Sequence, residues 1–310
     1  MTRPISLLLL VPAALAFAQG RPARPHVSCL AHVALYTHDI EASRAYYRDV
    51  LGYPELPPSA PAGGGAALAS FKINDRQSID LMPEREVGGD RLAHIAFETN
   101  DLEAMRVYLA SRGVPVPDRV IENRAGLAGF TVPDPDGHLL EFVHDGSARI
   151  VAKVKGPKVP VESISSVMRH AGILVGSLEA ATRFYRDVLG FREIWRGSRD
   201  GKTLDWVNMK LPDSDDYIEF MLYADLPEPG RRGSQHHICL VVPDVDAAAA
   251  TVRTRAARAR YTRAIEPRTG INRKRQLNLF DPDGTRSELM EPGTVDGKPV
   301  PSSEAPPPRR

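Results

Sequence analysis

The sequence predicts an α+β fold laid down as two tandem copies, and three observations predict it. A Pro/Gly turn leading into a short apolar run with one embedded carboxylate occurs twice. The copies are Asp134-Pro135-Asp136-Gly137 ahead of Glu141 and Asp281-Pro282-Asp283-Gly284 ahead of Glu288. A histidine-bearing run followed by helical spacing also occurs twice, Ala31 to Tyr53 matching Arg169 to Phe191. Finally, the separation of matched residues only grows along the chain, from His32/His170 through His94/His237 to Asp134/Asp281. Loops lengthened in the second copy between elements of unchanged length produce that pattern.

Each copy reads as strand, helix and strands, twice over. Asp39 and Ser177 are N-cap residue types ahead of the first helix of each copy. Ile40, Ala45, Tyr47 and Leu51 recur at near-helical spacing, and Gly52 is placed to stop that helix. Residues 67–73 and 79–82 read as strands, as do 204–210 and 217–223. A second histidine-bearing run follows, with Asp101 or Asp244 near the start of another helix. Proline presets φ and glycine accepts positive φ in the Asp-Pro-Asp-Gly unit, so the run after it is a strand.

Around this repeat the ends read differently. Arg3, the apolar run from Ile5 to Leu15 and Ala16-Phe17-Ala18 form the three parts of a secretory signal, which places cleavage between Ala18 and Gln19. The expected organisation is a signal peptide at 1–18, domains at 27–145 and 164–292, a linker at 146–163 and a disordered tail at 293–310. The mature chain is then exported, periplasmic or secreted, with no membrane span and as a monomer or homodimer. Cys29 and Cys239 could pair in an oxidising compartment. Of 310 residues 42% are apolar and 25% charged, with a formal net charge of +1. That balance excludes a general nucleic-acid binder.

Alternate residues of a strand share a face. Each copy therefore offers one histidine from its first strand, one from its fifth and a glutamate from its last: His32, His94 and Glu141, then His170, His237 and Glu288. Two imidazoles and a carboxylate form a facial ligand set for a divalent metal with open positions. A buried carboxylate also needs a positive partner, and the ion is one. Asp80 and Glu219 occupy matching positions and add a fourth donor or a general base. Zinc, nickel, manganese and iron(II) all suit these donors. Sites form either within each half or by exchange, His32 and Asp80 joining His237 and Glu288 while His170 and Glu219 join His94 and Glu141. A lone strand histidine is ordinarily a core residue; the recurrence of all three types is what points to a metal. Cys239 shares the face of His237, as a small apolar filler.

The chain resembles the vicinal oxygen chelate superfamily, which holds glyoxalase I, bleomycin- and fosfomycin-resistance proteins and extradiol dioxygenases. The resemblance rests on the two His strands, the Tyr46-Tyr47-Arg48-Asp49-Val50-Leu51-Gly52 and Phe184-Tyr185-Arg186-Asp187-Val188-Leu189-Gly190 helix ends, and the Asp-Pro-Asp-Gly-x-x-x-Glu units. It implies two glyoxalase-like domains, each a pair of βαβββ modules curled into an open barrel around a metal that chelates adjacent oxygens of a small substrate. His170, Glu219, His237 and Glu288 match the glyoxalase I ligands, which implies lyase or isomerase chemistry with Glu219 or Glu288 shuttling a proton. That family's usual thiol cosubstrate is cytosolic, so an exported relative needs another substrate. Extradiol dioxygenases place a tyrosine shortly before the last glutamate, whereas residues 276–280 and 129–132 hold none. Resistance proteins supply the third reading, a drug binder without turnover. Arg273-Lys274-Arg275 is a candidate anion site, and the run Arg253, Arg255, Arg258, Arg260, Arg263 reads as a solvated face. His26, His38, His138, His144 and His236 have no matched partners and receive no role.

Overall fold

A computed structural model describes residues 22–56, 67–122, 128–144, 162–259 and 261–309, without the side chains of 257 and 258. The signal peptide and nearly all of the linker lie outside the described residues. The first half contains β1 (Cys29–Thr37), β2 (Ala69–Lys72), β3 (Ser78–Pro83), β4 (Leu92–Thr99), β5 (Ile121–Glu122), β6 (Ala128–Pro133) and β7 (Leu139–His144). They form one curled sheet in the order β2-β3-β1-β4-β7-β6-β5. The second half contains β8 (Met168–Val175), β9 (Arg192–Gly197), β10 (Trp206–Lys210), β11 (Tyr217–Leu222), β12 (His237–Val241), β13 (Arg268–Thr269), β14 (Lys274–Phe280) and β15 (Arg286–Thr294). Their order is β13-β14-β15-β12-β8-β11-β10-β9.

In both sheets the two modules meet at an antiparallel central pair, β1 with β4 and β8 with β12. The last strand of each module lies parallel to its first: β3 on β1, β7 on β4, β11 on β8 and β15 on β12. Helices complete the crossovers, as parallel neighbours require. They are α1 (Ile40–Arg44), α2 (Leu102–Ser111), α3 (Leu178–Thr182) and α4 (Val245–Ala259). The second half is two βαβββ modules. In the first half His94 lies on the fourth described strand, not the fifth, because an isolated bridge from Glu55 to Phe71 stands where the second half has β9.

The caps behave as their residue types dictate. The side chains of Asp39, Asp101, Ser177 and Asp244 accept from backbone N–H groups of the following turn. One departure from simple helical spacing occurs at the same place in both copies. Both α1 and α3 widen into a π-turn, at Ala45–Val50 and Arg183–Val188. The widening lets two adjacent aromatics, Tyr46 and Tyr47 or Phe184 and Tyr185, both face inward. Gly52 and Gly190 then end the helices at φ +83° and +77°, where a Cβ would be strained.

These π-turns join the halves. Tyr47 donates to Asp281 of the second Asp-Pro-Asp-Gly turn, and Tyr185 donates to Asp134 of the first, at 3.1 and 3.0 Å. The two apolar faces form a single core holding Phe71, Phe97, Phe142, Phe191 and Phe220. A tail after residue 293 was expected to be disordered, and the structure corrects this. β15 runs to Thr294, Leu204 donates to Pro306, and Ala305 packs into the core at 8% exposure. Cys29 and Cys239 are both buried and unpaired. No described helix is long and apolar enough to cross a membrane.

Candidate metal centres

Strand register assembles each site within its own half, which overturns the exchanged pairing. Adjacency of β1 to both β3 and β4, with β7 beside β4, leaves His32, Asp80, His94 and Glu141 on one concave surface. His32 Nε2 lies 2.9 Å from His94 Nε2 and 3.0 Å from Glu141 Oε2, and His94 Nε2 lies 3.3 Å from the same oxygen. Asp80 is the outlier, its nearer oxygen 3.9 Å from His32 while the other accepts from Ser78.

In the second half, His170 Nε2 lies 3.1 Å from His237 Nε2 and 3.4 Å from Glu288 Oε2. Glu219 Oε2 reaches to 3.3 Å of His237 Nε2, and Glu288 Oε2 to 3.6 Å. Gly172 is registered opposite both Glu219 and His237. A Cβ there would stand 1.9 Å from His237 Cε1, so the imidazole lies where a side chain would otherwise be. The Tyr217 ring stacks on His170 at 4.4 Å. The Nδ1 atom of His237 lies 2.7 Å from the Gln235 carbonyl oxygen, a pure acceptor. Protonation at Nδ1 therefore turns the Nε2 lone pair toward the other donors.

Both donor sets fit a divalent cation. Ligands about 2.1 Å from one octahedral ion, at right angles, stand about 3 Å apart, which is the spacing seen here. Glu141 Oε2 is fully buried and makes no hydrogen bond despite its closeness to two imidazoles. That is the position of an atom whose partner is an ion. Among the described residues, three groups place metal-type donor atoms within 4.8 Å of one another: His32, His94 and Glu141; His170, Glu219 and His237; and His170, Cys239 and Glu288. Burial, with Glu288 and Glu219 nearby, raises the Cys239 pKa well above the usual range, so it stays a thiol.

The protonation balance differs between the halves. Burial opposes ionisation of Glu141, yet His32 and His94 bring its pKa down to about 2. The same holds for Glu288, where His170 and Arg286 overcome burial and bring the pKa to about 2. Burial works against the charged form of His32, but Asp80 and Glu141 raise its pKa. His237 moves the opposite way, lowered by burial and then by Arg286.

A cavity of about 410 Å³ opens over the second set, lined by Glu219 and Glu288 and walled by Trp195, Trp206, Arg199, Arg268 and Arg286. None of these wall residues was singled out from the sequence. The signal was present, since Arg286 stands two before Glu288 and strand alternation carries it onto the same face. Likewise Asn208 and Asn278 are registered opposite Glu219 and Glu288, each with a buried Oδ1 lacking a partner. By contrast, Arg273 and Arg275, two of the three residues of the expected anion site, are already held by Asp296 and Asp246. Arg255 of the basic run donates to the carbonyls of Val50 and Glu162 and ties α4 to the first half.

A family model described as the Glyoxalase/Bleomycin resistance protein/Dioxygenase superfamily matches residues 30–142 and 167–289. An iron-dependent extradiol dioxygenase from Rhodococcus jostii is 29% identical over 174 residues, covering 54% of this chain and 55% of the relative. The chain thus spans about half the length of that curated relative. Among solved structures, a Mn(II)-bound glyoxalase from Novosphingobium aromaticivorans superposes with a TM-score of 0.64 at 18% identity, covering 92% of this chain and 89% of the other. A 2,3-dioxygenase from Pseudomonas sp. gives 0.60 at 19% identity, covering 90% and 96%. At these identities the structural likeness establishes the shared fold.

Proposed function

Because the chain belongs to the Glyoxalase/Bleomycin resistance protein/Dioxygenase superfamily, we propose that it is a divalent-metal-dependent enzyme acting on a small substrate with adjacent oxygens. The reaction is of the isomerase or lyase type, and the second half is its centre. One observation carries this reading: two carboxylates, Glu219 and Glu288, converge on the same pair of imidazoles beneath a cavity. His170, His237 and one or both glutamates would hold the ion. When bound, a divalent ion supplies a positive charge that stabilises negative charge developing on a substrate oxygen. Glu219 or Glu288 accepts a proton from the carbon beside that oxygen and returns it to the neighbouring carbon. Atoms and electrons balance within the substrate, so no oxidant is consumed.

Extradiol ring cleavage is the second reading, favoured by the curated relative from Rhodococcus jostii. Against it, the residue registered opposite Glu288 is Asn278, which cannot exchange a proton as a phenol does. His32, His94 and Glu141, with Asp80 near, constitute a second metal site in the first half. Zinc, nickel, manganese and iron(II) remain the ions to test. Export, with cleavage before Gln19, is part of the same proposal and rests on the N-terminal signal pattern.

The deciding experiment measures bound metal in the chain from Gln19 onward, alongside Glu141→Ala and Glu288→Ala. Two ions per chain, one lost in each variant, is the expected result. Oxygen uptake with a catechol would move the reaction to ring cleavage, whereas hydrogen exchange at carbon without oxygen uptake supports the isomerase reading. Failure to bind any of the four ions removes the enzymatic account and leaves a small-molecule binder.

A further inference from the structure

The two Asp-Pro-Asp-Gly turns bury the same aspartate, but only one of them sets a cationic group beside it. Asp134 accepts from Tyr185 and lies 2.8 Å from Nδ1 of His138. Asp281 accepts from Tyr47 and from the backbone N–H of Thr285, which stands where the first turn has its histidine. Among the described residues Asp281 forms no ion pair. A buried carboxylate without a counter-charge is costly. Burial and the nearby Asp283 accordingly push its pKa up to about 7. Two accepted hydrogen bonds still leave this carboxylate with lone pairs to offer.

Beside Asp281 the second turn has a groove. Its volume is about 390 Å³, and it lies between the halves, lined by Ala45, Tyr46 and Val50 from one and Tyr261, Phe280 and Asp281 from the other. The Tyr46 and Tyr261 rings stand 5.9 Å apart with their planes 33° from parallel. The Tyr46 hydroxyl is buried without a hydrogen-bond partner, whereas its match in the second half, Phe184, has no hydroxyl. Arg263 is the one cation among the described lining residues. It is exposed, with its guanidinium over the Phe280 ring at 5.5 Å, so solvent screens its charge. Aromatic faces attract cations, and a carboxylate with free lone pairs accepts from an ammonium. We propose that this groove binds a small organic cation, an alkyl- or arylammonium, whose charge meets Asp281 and whose apolar part lies against Tyr46 and Tyr261. None of the metal donors lines the groove, so the site requires neither the metal nor the reaction proposed above.

The full chain is titrated by calorimetry with benzylammonium and with its neutral counterpart, benzyl alcohol, at about pH 8, where Asp281 is ionised. A chelator is present throughout, so that the amine cannot bind through a metal ion. The cation is expected to bind at least about tenfold tighter than the alcohol, the scale of one charge-assisted hydrogen bond. Asp281→Asn keeps an oxygen to accept from Thr285, and it should bring the two affinities together while leaving that of the alcohol unchanged. Ala45→Phe fills the groove but leaves the carboxylate in place, and it should abolish binding of both. Circular dichroism matched to the unmodified chain keeps a loss of fold from passing for a loss of the site. Equal affinities in the unmodified chain, a preference that survives Asp281→Asn, or binding that survives Ala45→Phe overturns the inference. Bound metal is measured separately and without chelator, so the metal reading and this one fail independently.

Discussion

The two halves carry the same two histidines and glutamate on matching strands, yet the surfaces around them have diverged. Glu219 reaches its neighbouring imidazole at 3.3 Å, while Asp80, one methylene shorter, stops at 3.9 Å. Gly172 opens space for His237 where the first half has Ala34, and Arg286 stands beside a histidine where the first half has Leu139. Thr131 faces Glu141 where Asn278 faces Glu288. A metal set needs only a few donors at fixed spacing and survives duplication intact. The walls decide what enters, and they are free to change.

The harshest way to break this comparison is Gly172→Ala. Its methyl group must displace His237, so bound metal in the second half should fall at least about tenfold and activity should be lost. First-half metal binding should be unchanged, and separate quantification in the Glu141→Ala and Glu288→Ala backgrounds checks this. Exchanging the fourth donors sharpens the contrast. Asp80→Glu should tighten metal binding in the first half by about tenfold and Glu219→Asp should weaken it in the second by a similar factor, read by competition with a chelator.

Protonation gives a subtler distinction in the metal-free chain. His32 has a raised pKa, so its contribution to stability is complete below 6.5 and disappears as pH rises through the folded value. His237 has a lowered pKa, so the folded state favours its neutral form and stability is lost as pH falls below 6.5. Amide exchange between pH 5 and 8 should therefore show β1 loosening toward alkaline pH and β12 toward acid. His32→Gln and His237→Gln should each flatten one trend.

The smallest effect concerns the paired turns. Asp134 is met by His138 at 2.8 Å, whereas Thr285 occupies the matching place beside Asp281. Burial and Asp283 raise the Asp281 pKa from 3.8 to about 7. A raised carboxyl pKa favours the protonated folded state, so stability should decline between pH 4 and 7, by on the order of 4 kcal/mol at most. Asp281→Asn should remove that slope in denaturant unfolding curves.

The repeat, the capped helices and all seven candidate donor residues were legible in the amino-acid order because their signals are local. Strand alternation, Asp or Ser before a helix and glycine after one act within a few residues. The ordered tail was not legible, because polar, proline-rich composition does not reveal that Ala305 finds a core to pack into. Nor was the reciprocal hold of Tyr47 on Asp281 and Tyr185 on Asp134, which depends on a π-turn and a contact between distant segments. What the sequence by itself determined is which candidate donors exist and which strand face each occupies. Which donors share a site, and that Arg286 and the two tryptophans wall one of them, only the tertiary structure decided. Alternation sets the side a residue points to, but strand order sets its neighbours, and that order is chosen by the packing of the whole sheet.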